Sequence, residues 1–207
     1  MRHAATLLLV AVAAVAPGVT GAGIVSEGSQ PPTEAELLEQ LHARIDADDA
    51  DGATGLLDEG APLNEISEKN GGQTPLMHAV LSGKAKLVEM FLARGADTTI
   101  GEKDGYTPMH GAAFQGRAEV AQLLIAHGLD PSDRHRDGFT PLHRACWGRA
   151  RRHTDTVKVL LDAGVPADEP AKDGSLPLSM TYNMRTMSLL RKSLKERTDQ
   201  MLSKDEL

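Results

Sequence analysis

Cys146 is the one cysteine of the chain, and His143 lies three residues before it. On a helix that spacing puts thiol and imidazole on one face. A base so placed can activate a sulfur nucleophile, so a thiol-dependent enzyme or redox protein using Cys146 is one reading. A second candidate is acidic. Asp46, Asp48, Asp49 and Asp51 are close together and offer the oxygen ligands that calcium takes, but without the D-x-D-x-D-G spacing and late Glu of a calcium loop. No Cys/His cluster has zinc spacing, Gly71-Gly72 reads as a turn, and G-x-x-x-x-G-K-[ST] does not occur, so the residues call for no metal and no cofactor. The third candidate is basic. Gly148 to Asp155 reads G-R-A-R-R-H-T-D, which gathers Arg149, Arg151, Arg152 and His153 near Arg144 in a chain of net charge -7. That cluster can dock an acidic segment or a phosphate, or stand as a solvated loop. The acidic balance of the whole chain argues against a general nucleic-acid binder.

The elements that position these residues are set by a repeat. Gly72–Val80 reads G-Q-T-P-L-M-H-A-V, Gly105–Ala113 reads G-Y-T-P-M-H-G-A-A, and Gly138–Cys146 reads G-F-T-P-L-H-R-A-C, each 33 residues after the last. A fixed period of this length marks a stacked array. Thr suits a helix N-cap and Pro the first helical position, where its missing N–H costs nothing. Second helices follow at Leu87–Leu92, Val120–Ile125 and Val157–Leu161, and Asp104-Gly105, Asp137-Gly138 and Asp173-Gly174 recur between units as tight-turn signals. Thr140 to Pro177 is 37 residues where the earlier units give 34 from Thr to the next Pro. The extra residues are placed between the two helices of that unit, in the basic cluster. Upstream, Thr33-x-x-Glu36 is a capping box, with Leu37, Leu38, Leu41 and Ile45 at helical spacing behind it.

With T-P-L-H-x-A at this period, the chain resembles the ankyrin-repeat family over roughly residues 34–195. The resemblance implies an all-α solenoid of stacked helix-turn-helix units with β-hairpin turns. About five repeats would fill residues 33–199, the first (Thr33–Asn64) and the last (from Gly174) being degenerate caps with polar outer faces. It implies that His110 and His143 bond back to their Thr and to neighbouring backbone. Met77 and Ser179 hold that slot in the outer units, which are then expected to be looser. Because the positions of His143 and Cys146 are repeat slots for His and Ala, it also turns the reading away from catalysis. The expected function is that of a monomeric, non-enzymatic adaptor or scaffold that binds a partner protein through a concave groove.

The chain has six aromatic residues. Tyr106 and Phe139 stand just before T-P, and Phe114 and Trp147 stand seven after Thr, with Leu81 in that slot one unit earlier. By the resemblance both slots face the groove. Aromatic anchors dominate many interfaces, so Tyr106, Phe114, Phe139 and Trp147 are the expected partner-binding anchors, with Leu81, His78, Gln115 and Arg144 around them.

The two ends carry addresses. Arg2 and His3 precede an apolar run from Ala4 to Ala16, and Thr20-Gly21-Ala22 supplies small residues. Residues 1–22 therefore read as a cleaved signal peptide, the run being too short to span a bilayer. Cleavage would leave a net charge of -8 and no membrane insertion. Residues 23–32 read as a flexible leader. Residues 200–207 read as a mobile tail ending in Lys204-Asp205-Glu206-Leu207, the K-D-E-L string read by the KDEL receptor of the endoplasmic reticulum. The expected location is the lumen of that compartment, with secretion or plastid targeting as the alternatives. Asn64, Asn70 and Asn183 all lack Ser or Thr two places on, so no Asn is an acceptor for glycosylation.

Overall fold

The computed structural model describes residues 31–205. The apolar N-terminal run, most of the leader and the last two residues lie outside them, and so do the side chains of Lys204 and Asp205. Two compact units divide at Pro31–Pro32, and every element described here belongs to the second, Pro32–Leu207.

That unit is an all-α repeat solenoid. Its helices are α1 (Glu34–Asp46), α2 (Ala50–Asp58), α3 (Pro75–Ser82), α4 (Ala85–Ala93), α5 (Pro108–Gln115), α6 (Ala118–Ala126), α7 (Pro141–Cys146), α8 (Arg151–Asp162) and α9 (Met184–Asp205). Consecutive helices pair into antiparallel hairpins. The last unit replaces its first helix by a 3-10 turn, Pro177–Met180. First helices stack α1 on α3 on α5 on α7, second helices stack α2 on α4 on α6 on α8 on α9, and one core runs between the rows. The sequence dictates the starts. Thr33 caps α1 in a reciprocal box with Glu36, and α3, α5 and α7 each begin with Pro behind an extended Thr. Leu87, Val88 and Phe91 from α4, Leu124 from α6 and Leu160 from α8 are fully buried between neighbours, as period-3.6 apolar residues must be.

Between units, the D-G signals form tight turns rather than strands. The Glu102 carbonyl accepts from Gly105 N at 2.7 Å, and Glu102 N donates to the Tyr106 carbonyl at 3.1 Å. The same pair of bonds recurs at His135, Gly138 and Phe139. Gly105 and Gly138 both stand at φ +86°, left-handed backbone that a side chain disfavours. Among the described residues the backbone pairing of these turns builds no strand; one isolated bridge joins Ser67 and Gln73.

The repeat histidines are ties between units. His143 Nε2 donates to the Ser175 carbonyl at 3.2 Å, which fixes the proton on that nitrogen. Its Nδ1 is then free to accept from the Thr140 hydroxyl at 2.9 Å and from Thr140 N at 3.2 Å. His110 Nε2 reaches the Phe139 carbonyl at 3.1 Å, and its Nδ1 lies 2.9 Å from Thr107 Oγ1. Met77 fills the corresponding slot as a fully buried apolar side chain and leaves Thr74 to cap Met77 N alone.

At the opposite end, His78 binds the first unit instead of facing the groove. Its Nε2 lies 3.0 Å from Asp46 Oδ1, and its Nδ1 lies 2.8 Å from His42 Nδ1. With the His78 proton directed at the carboxylate, His42 Nδ1 must donate. His42 Nε2 is then left bare, buried and without a partner. The far end also differs from expectation. Residues 200–205, read as a mobile tail, continue α9 without a break. No Pro or Gly interrupts 184–205, so nothing in the backbone stops the helix. Among the described residues no helix is long and apolar enough to cross a membrane.

Burial, with the nearby His78 adding to it, holds His42 down at about 4. An unfolded histidine protonates near pH ~6.5, so between those values the unfolded chain binds the extra proton and acid favours unfolding. Burial lowers His110, His143 and His153 as well, and these act with the same sign. Urea midpoints are therefore expected to hold at neutral pH and fall as the pH drops through about 6.5 toward about 4. His42→Gln should flatten part of that slope.

Candidate functional site

The turns and the first helices of neighbouring units line a cavity of about 430 Å³. Leu81 comes from α3. Gly111, Phe114 and Gln115 come from α5, with His110 behind them. Glu102, Asp104 and Tyr106 come from the turn before α5, Gln73 from the turn before α3, and Arg144 and Trp147 from the end of α7. Six of the eight residues read from the sequence as groove residues thus line one space: Leu81, Tyr106, Phe114, Gln115, Arg144 and Trp147. Phe114 and Trp147 are 49% and 43% exposed, unusual for large apolar side chains beside an available core. Their rings meet edge to face at 6.4 Å between centroids. Phe139 does not line the cavity. It packs beside it, 5.6 Å from the Trp147 ring and 5.5 Å from His143. His78 lies apart, in the network with His42 and Asp46.

Arg144 organises the cluster. Expected as an open groove residue, it is only 6% exposed. Its guanidinium carbon stands 4.3 Å from the centroids of both Tyr106 and Trp147 and 4.9 Å from that of Phe139. Its Nη2 donates to Asp137 Oδ2 at 2.7 Å and also contacts the Tyr106 hydroxyl. Tyr106 Oη in turn donates to Asp137 at 2.8 Å. Burial works to raise the Asp137 carboxyl. Hydrogen bonds from Phe139 N, His135 and Tyr106, together with the Arg144 charge, outweigh it and hold Asp137 well below the usual carboxylate range. Burial also raises the Tyr106 phenol. The result is an ion pair roofed by aromatic rings, in which cation–π attraction adds to the charge–charge term.

The other candidates resolve differently. Cys146 is 1% exposed and burial pushes its thiol up to about 12, so a thiolate is not formed near neutral pH. His143 is engaged by Thr140 and Ser175. The pair therefore builds the repeat and does not form a nucleophile with its base. The basic cluster is a loop only at Gly148–Ala150, which holds Arg149. The extra residues lengthen α8, which starts at Arg151, and Arg152 Nε and His153 Nε2 donate to the Gln115 and Phe114 carbonyls at 3.0 and 3.1 Å. Arg117 Nε does the same to the Leu81 carbonyl at 3.0 Å. These side chains satisfy the open C-terminal carbonyls of the preceding first helix. The carboxylates near residue 48 are also occupied separately: Asp46 by His78, Asp48 by Lys84, and Asp49 by Gly52 N and Arg44. Among the described residues no group of three or more His, Cys, Asp or Glu side chains is placed to hold a metal ion.

The sequence reading passed over Glu102 and Asp104, which form the acidic wall of the cavity. The repeat register carried the signal. Five places before Thr stand Lys69, Glu102 and His135 in successive units, so the acid is particular to this unit. Tyr182, at 79% the most exposed of the large apolar side chains in the described residues, lies near the Arg149 guanidinium at 5.9 Å.

Removing Arg144 leaves Asp137 half-buried without its cation. Arg144→Ala is expected to cost about 2 kcal/mol in urea unfolding, below the range of a fully buried pair, and the Asp137→Asn, Arg144→Ala cycle to show favourable coupling between the two.

Residues 84–173 match the family described as ankyrin repeats (3 copies). No curated protein matches the chain significantly. The match covers the whole of α4 to α8 and the turn beyond them, which includes the aromatic cluster and most of the cavity. With the two stacked rows of helices and the Thr–His ties already described, residues 84–173 form an ankyrin-repeat domain.

Proposed function

We propose that the protein binds a partner protein through the groove face of its array, with Phe114, Trp147 and Tyr106 as anchors, and acts as an adaptor without chemistry of its own. The observation that carries this reading is the pair of half-exposed rings, Phe114 and Trp147, held at the mouth of the cavity. A packed scaffold holds such rings in place before a partner arrives, so little ordering cost remains at binding. Arg144 and Phe139 contribute from behind, as the support on which Trp147 rests. The buried, high-pKa Cys146 weighs against a thiol enzyme. Pull-down from a lumenal extract, compared with Phe114→Ala and Trp147→Ala, tests the reading. Each substitution should weaken recovery of a specific partner by about tenfold or more, whereas equal recovery by both variants would sink it.

The place of action that we propose is the lumen of the endoplasmic reticulum. The apolar run Ala4–Ala16 and the string Lys204-Asp205-Glu206-Leu207 support it together. Replacing Leu207 in an internally tagged chain should release the protein into the medium. An unchanged distribution would count against receptor retention.

A further inference from the structure

The cavity repeats in part the arrangement that Arg144 completes one unit later. In the later unit, Asp137 in the turn faces Arg144 seven residues on, and the guanidinium lies against Phe139 just before T-P and Trp147 seven after Thr. In the earlier unit, the register-equivalent acid is Asp104, and the equivalent rings are Tyr106 and Phe114. The residue seven after Asp104 is Gly111. The acid and two rings are present, Gln73 stands where the later unit has Tyr106, and the side chain that would bring the cation is absent. Gly111 lines the cavity that this leaves.

Electrostatics points the same way. Glu102 adds a second carboxylate to this wall. Burial raises the Glu102 carboxyl, Asp104 raises it further, and Arg144 acts in the opposite sense without reversing the shift. Arg144 is already paired with Asp137 at 2.7 Å. Neither Glu102 nor Asp104 forms an ion pair among the described residues. Glu102 and Asp104 thus line an aromatic-walled space in which Arg144 is already paired with Asp137, an arrangement complementary to a positive group carried on an apolar stem.

Resting on the groove reading above, we propose that the cavity receives the guanidinium of an arginine from the partner protein, at the position where Gly111 has no side chain. The guest guanidinium stacks on Phe114 and pairs with Glu102 and Asp104, beside the Tyr106 ring that Arg144 and His135 already cover. Arginine fits better than lysine because a planar fork can stack and still donate in its own plane.

The probe is a pentapeptide, acetyl-Gly-Gly-Arg-Gly-Gly-amide, with its citrulline and lysine counterparts. Citrulline keeps the shape and removes the charge. Binding to the full chain is followed through Trp147, the chain's one tryptophan, by indole emission and the indole N–H resonance. The arginine peptide should bind about fivefold or more tighter than the citrulline peptide, with lysine between them. Glu102→Gln with Asp104→Asn should erase that preference. Gly111→Arg supplies the cation internally and should abolish the response to the arginine peptide. Its Cβ would stand 3.1 Å from Leu81 Cδ2, so its fold is checked by circular dichroism. Equal affinity for arginine and citrulline, or silence at Trp147 with the arginine peptide, would overturn the proposal. The double carboxamide variant keeps the test open if Gly111→Arg fails to fold, since a preference that survives it is also contrary. Pull-down separates the two readings. Recovery that depends on Phe114 and Trp147 but not on Glu102 and Asp104 leaves groove binding standing and removes the arginine. Recovery that depends on none of them removes both.

Discussion

The array depends on a hydrogen bond that runs from one unit to the next. His143 Nε2 reaches the Ser175 carbonyl while its Nδ1 engages the Thr140 cap, and His110 makes the corresponding reach to Phe139. One side chain thereby fixes the start of its own helix and the backbone of the following turn. The turn carries the residue before T-P, so the tie also decides where Tyr106 and Phe139 stand relative to the helices. Without it, the stack would have its apolar core but no exact register between one unit's helix and the next unit's turn. Burial keeps these imidazoles neutral, which is the state in which one nitrogen donates and the other accepts.

A second constraint builds on that register. Once Tyr106, Phe139 and Trp147 are placed, they surround a space that Arg144 fills, and Asp137 neutralises the charge. The aromatic cluster is therefore not a loose apolar patch. A half-buried ion pair backs it, and it opens toward solvent on the side of Phe114 and Trp147. Half-exposed rings next to a rigid polar support make a surface that recognises shape and charge together.

Much of this was legible in the sequence, because repeats project each decision three or more times. The helix starts, the stacking order, the D-G turns and the aromatic slots all follow from period and residue type. What escaped were contacts between units that depend on one particular side chain. His78 reads as a groove residue by its slot, but Asp46 and His42 lie opposite it and claim both its nitrogens. Arg144 reads as open for the same reason, and becomes buried because a carboxylate and three rings from two units converge on it. The insertion reads as a loop by its charge. Its arginine and histidine find carbonyls at the end of α5, which costs less than leaving either set of groups alone. The tail reads as mobile by its address, while its composition suits a helix and α9 is already running toward it.

The ties are unevenly spread along the stack, and that has a mechanical consequence. His110 joins the third unit to the fourth and His143 joins the fourth to the fifth, whereas Met77 gives the second unit no such link to the third. A load pulling along the axis of the array would pass through these bonds in series. The seam between the second and third units would yield first, and the three C-terminal units would part from the first two as one block. That block carries Tyr106, Phe114, Phe139 and Trp147, so the rings would keep their arrangement after the array had begun to come apart.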